Sequence, residues 1–114
     1  MDVQIYPFEK LTFEPLSDKT ARRYVHGEKA TLAQSQLKKG ALIAEHQHPY
    51  EQISYVTHGS IKVTINNTAH VVNHGEVIII PSNISHQMEA LEDALVIDIY
   101  TPTRDDWIRG SDSL

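Results

Sequence analysis

In the stretch IKVTI, Ile61, Val63 and Ile65 alternate with Lys62 and Thr64. A period of two places the three aliphatic side chains on one face of an extended strand and the polar ones on the other. Asn66-Asn67 follows, and then TAHVV, so the two runs read as a hairpin around a short Asn-rich turn. The same signals recur along the chain. LIAEHQH and QISYVT are two strands separated by His-Pro-Tyr-Glu, and LVIDIY (Leu95 to Tyr100) ends ahead of Pro102. The run EVIIIP, opened by Gly75 and closed by Pro81, reads as a buried strand. Residues 22–37 hold two further strands around Gly27, and Thr103 to Leu114 suits a helical turn. Many short strands with turn residues between them make a sandwich or a barrel. With no repeat, linker or low-complexity stretch, the reading is one all-β domain over residues 1–114.

Composition narrows the function classes. Hydrophobic residues make up 40%, enough for a core, and the absence of cysteine excludes a disulfide framework and thiolate chemistry. The net charge is −5 and no Lys/Arg cluster exceeds two residues, which argues against a nucleic-acid partner. No apolar run approaches the roughly 20 residues that span a bilayer. The opening MDVQIYPFEK lacks a basic segment followed by an apolar one, so no signal peptide is expected. A cytoplasmic protein without membrane partners is the expectation.

Seven histidines are many for this length, and their spacing matters more than their number. His46 and His48 are separated by one residue, so in an extended strand they share a face, about 7 Å apart, and can converge on one ion. Pro49 then interrupts the strand, Gln52 opens the next one, and His86 follows after GEVIIIPSNIS. His26, His58, His70 and His74 lie in or near turns and read as solvated surface residues.

This arrangement resembles the two motifs of the cupins. The first is Gly, five residues, His-x-His, three or four residues, Glu, six residues, Gly; here it reads Gly40-ALIAE-His46-Gln-His48-PYE-Gln52-ISYVTH-Gly59. The second reads Gly75-EVIII-Pro81-Ser-Asn83-IS-His86, with Asn83 in place of a glycine and Ala90 where an asparagine would close the motif. Asn tolerates positive φ, so the first of these changes is mild. Gln52 in place of Glu has a larger consequence. The spacing to Gly59 favours Gln52 over Glu51, and the strand period turns Glu51 to the opposite face. The resemblance implies a cupin double-stranded β-barrel (jelly roll) over about 22–102. An N-terminal strand in VQIYPF and a short C-terminal tail would flank it. It also implies one divalent metal ion per chain, held by His46, His48, Gln52 and His86. Neutral imidazoles and a neutral amide would leave the full 2+ charge on the ion, a strong anchor for an anionic oxygen. Such ligands suit Ni, Zn, Fe or Mn and do not choose among them. Cupins often cover exposed sheet edges with a second chain, so a homodimer is expected, with VQIYPF supplying a strand.

The segment DIYTPTRDDW carries the second constellation. Asp98 and Tyr100 share one face of a strand, and Ile97 and Ile99 take the other. For an isolated strand, Asp98 in solvent and the isoleucines in a core would be the simpler arrangement. A barrel with a metal-lined cavity needs a polar wall, and Asp98 then becomes a general acid/base. Arg104, after the strand end, could reach back to the barrel mouth and pair bidentately with a substrate carboxylate.

HPYEQ, the strand end DIYTP and the following Arg-Asp-Asp-Trp resemble the small single-domain cupins typified by the pectin degradation protein KdgF, from about Arg22 to Trp107. In that family three histidines and a glutamine hold the metal, which matches Gln52. The resemblance implies catalytic roles at Asp98 and Arg104 and a site-lining aromatic at Tyr100. It also implies a small sugar acid as substrate. The implied activity converts 4,5-unsaturated monouronates from pectin or alginate breakdown to linear 5-keto-4-deoxyuronate. Two other readings stand beside it: a metal-dependent dioxygenase of quercetinase type, and a non-catalytic sugar- or metal-binding cupin.

Overall fold

A computed structural model of the chain describes residues 2–110. A segment without regular structure over residues 2–7 leads into a 3-10 turn at Phe8–Lys10. Five strands follow: β1 (Glu14–Pro15), β2 (Thr20–His26), β3 (Thr31–Leu37), β4 (Leu42–His46) and β5 (Glu51–His58). The next five are β6 (Ser60–Ile65), β7 (Thr68–Asn73), β8 (Val77–Ile80), β9 (His86–Ala90) and β10 (Ala94–Thr101), with a short helix α1 (Asp105–Ile108) after them. They form a six-stranded sheet ordered β1-β2-β3-β10-β5-β8 and a four-stranded sheet ordered β4-β9-β6-β7. The pairings are antiparallel. Among the described residues no helix is long and apolar enough to cross a membrane.

Turn chemistry sets the registers. Ile65 faces Thr68 across the β6–β7 hairpin, and both loop residues, Asn66 (φ 51°) and Asn67 (φ 61°), are left-handed. That is the type I′ geometry whose twist matches the strands it joins, and Asn tolerates it. Asn83 likewise takes φ 63°, so it serves where the motif has glycine. Gly59, between β5 and β6, has φ +74°, and a Cβ there would lie 2.1 Å from the Asp93 carbonyl oxygen. The tight approach of the β9–β10 turn therefore admits no side chain.

The space between the sheets is zoned along the strands. On β10 the inward residues are Ala94, Val96, Asp98 and Tyr100, in that order. Ala94 and Val96 join Val56, Ile61, Val63, Ile80 and Met88 in the main apolar core at one end. Tyr100 joins Ala33, Tyr50 and Trp107 at the other. Asp98 lies between the two clusters, and a cavity opens there.

Several expectations are corrected. The N-terminal segment VQIYPF is not a strand: within one chain no sheet edge lies beside it, and Val3 and Ile5 are almost fully exposed. The EVIIIP run is not buried on both faces. β8 is an edge strand, with Ile78 and Ile80 turned inward but Val77 and Ile79 more than half exposed. β9 has no counterpart in the sequence reading, although His86, Met88 and Ala90 alternate inward against Gln87 and Glu89. Its mixed polarity hides a period that only burial reveals. α1 falls within the expected C-terminal turn, and residues 111–114 lie outside the described part.

Gly59→Ala should lower unfolding stability by more than about 2 kcal/mol, from left-handed strain and backbone overlap together. Asn67→Gly should be neutral or stabilising by up to roughly 0.5 kcal/mol, because glycine suits the second I′ position at least as well. Urea titration of the two variants checks this. An unchanged midpoint for Gly59→Ala would contradict the close approach.

Candidate metal centre

Three histidines converge from two strands and a loop of the four-stranded sheet. His46 ends β4 and stands opposite His86, the first residue of β9. A register shift between Ile43 and His46 bulges β4, which lets both residues face inward despite their odd separation. His48 lies beyond the strand end, not within it as the i, i+2 argument assumed, but the alternation persists: His46, His48 and Tyr50 point in. Their ligand atoms all lie within 4.8 Å of one another. The ring centroids are 4.4 Å apart for His46–His86, 5.2 Å for His48–His86 and 5.4 Å for His46–His48.

Each ring is oriented by the backbone. Nδ1 of His46 meets the Ala44 carbonyl at 2.9 Å, Nδ1 of His48 the Tyr50 carbonyl at 3.1 Å, and Nδ1 of His86 the Ile84 carbonyl at 2.8 Å. A carbonyl can only accept, so Nδ1 carries the proton and Nε2 presents a lone pair. The Nε2 atoms of His46 and His86 are buried without a hydrogen-bond partner. Nε2 of His48 lies 3.1 Å from Oε1 of Gln52, and with these tautomers both are acceptors. Buried acceptors left in this state are costly unless a cation satisfies them. A ligand–ligand spacing near 3 Å is what two bonds of about 2.1 Å at a right angle produce. The donor set therefore fits a divalent ion held by His46, His48, His86 and the Gln52 amide oxygen. Desolvation, reinforced by Arg104 and the neighbouring histidines, lowers the His48 pKa to about 4, and desolvation also lowers that of His86. Both rings are neutral at physiological pH, as ligation requires.

Gln52 begins a hydrogen-bonded line leading away from the histidines. Its Nε2 donates to Ser54 Oγ (3.1 Å), and Ser54 Oγ donates to Asp98 Oδ1 (2.5 Å). Ser35 Oγ donates to Asp98 Oδ2 at 3.1 Å. The direction of these bonds holds the amide with Oε1 toward the histidines. Glu51 is exposed on the other face, as the strand period requires. Asp98 is 3% exposed. Desolvation raises its pKa to about 6, against the opposing hydrogen bonds of Ser54, Ser35 and Gln52 and the charge of Arg104. A carboxyl poised there can both accept and release a proton near neutrality.

The cavity is lined by Arg22, Ser35, His46, Gln52, His86, Asp98, Tyr100 and Trp107, with Ile43 and Met88 among its apolar contacts. Its free space is about 30 Å³. Tyr100 lines it as expected. Arg104 does not. It is fully buried, and its fork is bound to Asp106, Nε to Oδ1 at 2.9 Å and Nη2 to Oδ2 at 2.7 Å. Its guanidinium carbon sits 4.2–4.7 Å from the ring centroids of Tyr50, Tyr100 and Trp107. The backbone explains the displacement. Thr103 Oγ1 donates to the Gly27 carbonyl and the Arg104 N–H to Thr31 Oγ1, which fastens this segment to the β2–β3 turn. Arg104 thus supports the aromatic wall from behind.

The cation that lines the cavity is Arg22, on β2, which the sequence reading passed over. It is 4% exposed, stacks 4.0 Å from the Trp107 ring centroid and meets exposed Glu14 at 3.5 Å. In TARRYVH one of the adjacent arginines has to face inward, a signal that exists but does not say which arginine, or into what. His58, His70 and His74 are exposed as expected. His26 is half-buried instead, bonded to Thr31 and packed on Tyr24.

Two antiparallel sheets enclosing a three-histidine cluster at the strand ends define the class. The profile of the Cupin domain family matches residues 33–100, and the chain belongs to that family. Within it, the chain is 32% identical over 72 residues to the pectin degradation protein KdgF of Dickeya dadantii (strain 3937), covering 61% of this chain and 66% of that protein. It is 35% identical over 52 residues to protein SchB of Streptomyces halstedii, covering 45% of this chain and 38% of the relative. These matches thus span less than two thirds of either relative. The structure of KdgF from Halomonas sp. superposes with a TM-score of 0.84 at 26% identity, over 91% of this chain and 99% of that one.

The protein as isolated should carry close to one divalent ion per chain, and His48→Ala or His86→Ala should strip it. Gln52→Ala should weaken binding less, since an amide oxygen is the poorest of the four donors. Elemental analysis decides this, and full occupancy after both histidine changes would refute the site. A second expectation concerns metal-free protein. A carboxyl whose pKa rises from 3.8 to about 6 on folding binds more protons native than unfolded, so its contribution to stability falls as pH rises through that window. Relative to the native sequence, Asp98→Asn should therefore gain on the order of 2 kcal/mol between pH 4 and pH 8. Urea titrations of both forms at the two pH values test this; a difference independent of pH would rule out the buried carboxylate.

Proposed function

We propose that the protein is a metal-dependent, non-redox enzyme that converts 4,5-unsaturated monouronates, from pectin or alginate breakdown, to linear 5-keto-4-deoxyuronate. The observation that carries this reading is Asp98. It is a buried carboxyl with a pKa raised to about 6, linked through Ser54 to Gln52, in a cavity that also holds Arg22. Similarity to KdgF of D. dadantii, a pectin degradation protein, points the same way.

The reaction adds water across the ring double bond, the proton going to C4 and the oxygen to C5. The resulting hemiketal then opens by breaking the bond between C5 and the ring oxygen, leaving a ketone at C5. A bound divalent ion supplies a positive centre for the sugar acid's oxygens. Asp98 moves the proton at its Oδ atoms, and Ser54 and Ser35 hold the carboxyl in place. Arg22 takes the carboxylate-binding role that the sequence had suggested for Arg104. Tyr100 and Trp107 pack against the ring, and Arg104 holds both in position. Charged and hydroxyl groups on the wall favour a sugar acid over the flat apolar substrate of a quercetinase-type dioxygenase.

Incubation of metal-loaded protein with an unsaturated monouronate, following loss of the ultraviolet absorbance of the double bond, tests the proposal. Turnover should persist without oxygen. Asp98→Asn should cost about 10²-fold or more with metal content retained. Arg22→Lys should act mainly on kcat/KM, because it keeps the charge but loses the fork. Near-native turnover for Asp98→Asn would remove Asp98 from the mechanism, and no turnover of any unsaturated uronate would overturn the proposed activity.

A further inference from the structure

The β2–β3 turn and the segment entering α1 are joined by a hydrogen-bonded clasp of fixed direction. Thr31 is fully buried, and its Oγ1 accepts the Arg104 backbone N–H at 2.9 Å. The same oxygen lies 2.8 Å from Nδ1 of His26. A hydroxyl has a single hydrogen, and among the described residues Oγ1 bonds to these two groups. The Arg104 N–H can only donate, so the hydroxyl hydrogen goes to Nδ1. His26 is therefore neutral in the clasped state, with its own proton on Nε2. The opposite direction would bury the hydroxyl hydrogen without an acceptor, a costly state.

We infer that His26 and Thr31 are positioning residues for the aromatic wall of the cavity, and that protonation of His26 releases that wall. The clasp reaches the cavity through the backbone and through stacked rings. The Arg104 carbonyl accepts the N–H groups of Trp107 at 3.1 Å and Ile108 at 3.3 Å, so the residue held by Thr31 also starts α1. Trp107 lines the cavity. Its ring centroid is 4.9 Å from that of Tyr24, which is 4.9 Å from that of His26. A second tie, from Thr103 Oγ1 to the Gly27 carbonyl, contains no titratable group, so acid opens one of two fastenings. The positioning role rests on the cavity being the substrate site proposed above; the clasp itself does not.

Protonation reverses the bond at Nδ1. Both neighbours of Thr31 Oγ1 are then donors, and the hydroxyl hydrogen loses its acceptor. Desolvation holds the His26 pKa below its ordinary value; Asp105 and Asp106 on α1 raise it, and Arg104 lowers it. The charged ring is thus drawn toward the two carboxylates and away from Thr31. Asp106 also binds the Arg104 fork, so a charged His26 competes with the residue that supports Trp107. A histidine whose folded pKa is depressed stabilises its surroundings above the ordinary value and loses that contribution as pH falls. The wall is therefore held at neutral and alkaline pH and loosened by acid.

Nuclear magnetic resonance of the full-length protein with excess zinc, between pH 8 and pH 5, tests this. The Arg104 backbone amide should shift with the same midpoint as the His26 ring protons. Its hydrogen-exchange protection should fall by about tenfold or more across that transition. Trp107 is the only tryptophan in the chain, so its fluorescence should show the same midpoint. In His26→Gln the side-chain oxygen can take the Thr31 hydrogen at every pH, and the amide should stay protected throughout. Thr31→Val should already lower protection at pH 8 by about tenfold and remove its dependence on His26. An Arg104 amide that ignores the His26 titration, or responds equally in His26→Gln, would overturn the clasp. For turnover of an unsaturated uronate, His26→Gln should keep more of its kcat/KM at acid pH than the native chain. An acid limb identical in the two, with the Arg104 coupling intact, would overturn the positioning role. The spectra are read without turnover, so an inactive protein with intact coupling would sink the proposed substrate and leave the clasp standing.

Discussion

Strand parity in β10 ties the interior of this protein to its exterior. Successive side chains leave a strand on opposite faces, so whichever way Asp98 and Tyr100 point, Ile97 and Ile99 must point the other way. The fold sends Asp98 and Tyr100 inward. The neighbouring strands follow in register, with Ser54 and Gln52 on β5 facing in and Ile53 and Tyr55 facing out. Around Asp98 this sheet has polar groups inside and aliphatic groups outside, the inverse of the usual arrangement of a half-buried antiparallel sheet. The cavity and the apolar outer face are therefore two consequences of one choice.

The interior accepts polar groups because almost every one has a partner of defined direction. Backbone carbonyls take the Nδ1 protons of His46, His48 and His86. Asp98 receives two serine hydroxyls, and one of those serines receives the Gln52 amide. At the histidine cluster the Nε2 atoms of His46 and His86 are unmatched, beside the facing acceptors of His48 and Gln52. The charge on Asp98 is the costly element, since desolvation outweighs its hydrogen bonds. Burial of this kind is what brings a carboxyl to titrate near neutrality. The apolar cluster at the far end, with Ile61, Val63, Val56 and Val96 fully buried, supplies the stability that offsets it.

Much of the fold was legible in local pattern. The alternation of Ile61, Val63 and Ile65 with the Asn66-Asn67 turn specified the β6–β7 hairpin, and the observed backbone has the two left-handed residues that such a turn needs. The spacing that grouped His46, His48, Gln52 and His86 also matched what the structure brings together. β9 was missed because HQMEA mixes a ligand, an amide, a thioether and an acid, and no hydrophobicity scale makes a strand of it. The VQIYPF arm misled because alternation states which face would be apolar, not whether an edge stands nearby to pair with.

Sequence alone determined which residues share a face, since parity needs nothing beyond chain geometry. Asp98 with Tyr100, Ile97 with Ile99, and Gln52 apart from Glu51 all follow from a period of two. It could not determine which face is inside, because that depends on what the opposite sheet presents. Nor could it choose between two arginines. Arg104 looked free to reach the barrel mouth, but tertiary anchoring to Gly27 and Thr31 buries it against Asp106 and three rings. Arg22, one of an adjacent pair in a polar run, became the cavity's cation only when β2 paired with β3 and turned it inward beneath Trp107. Local geometry propagates along a strand, whereas the environment of a long charged side chain is set by residues distant in sequence.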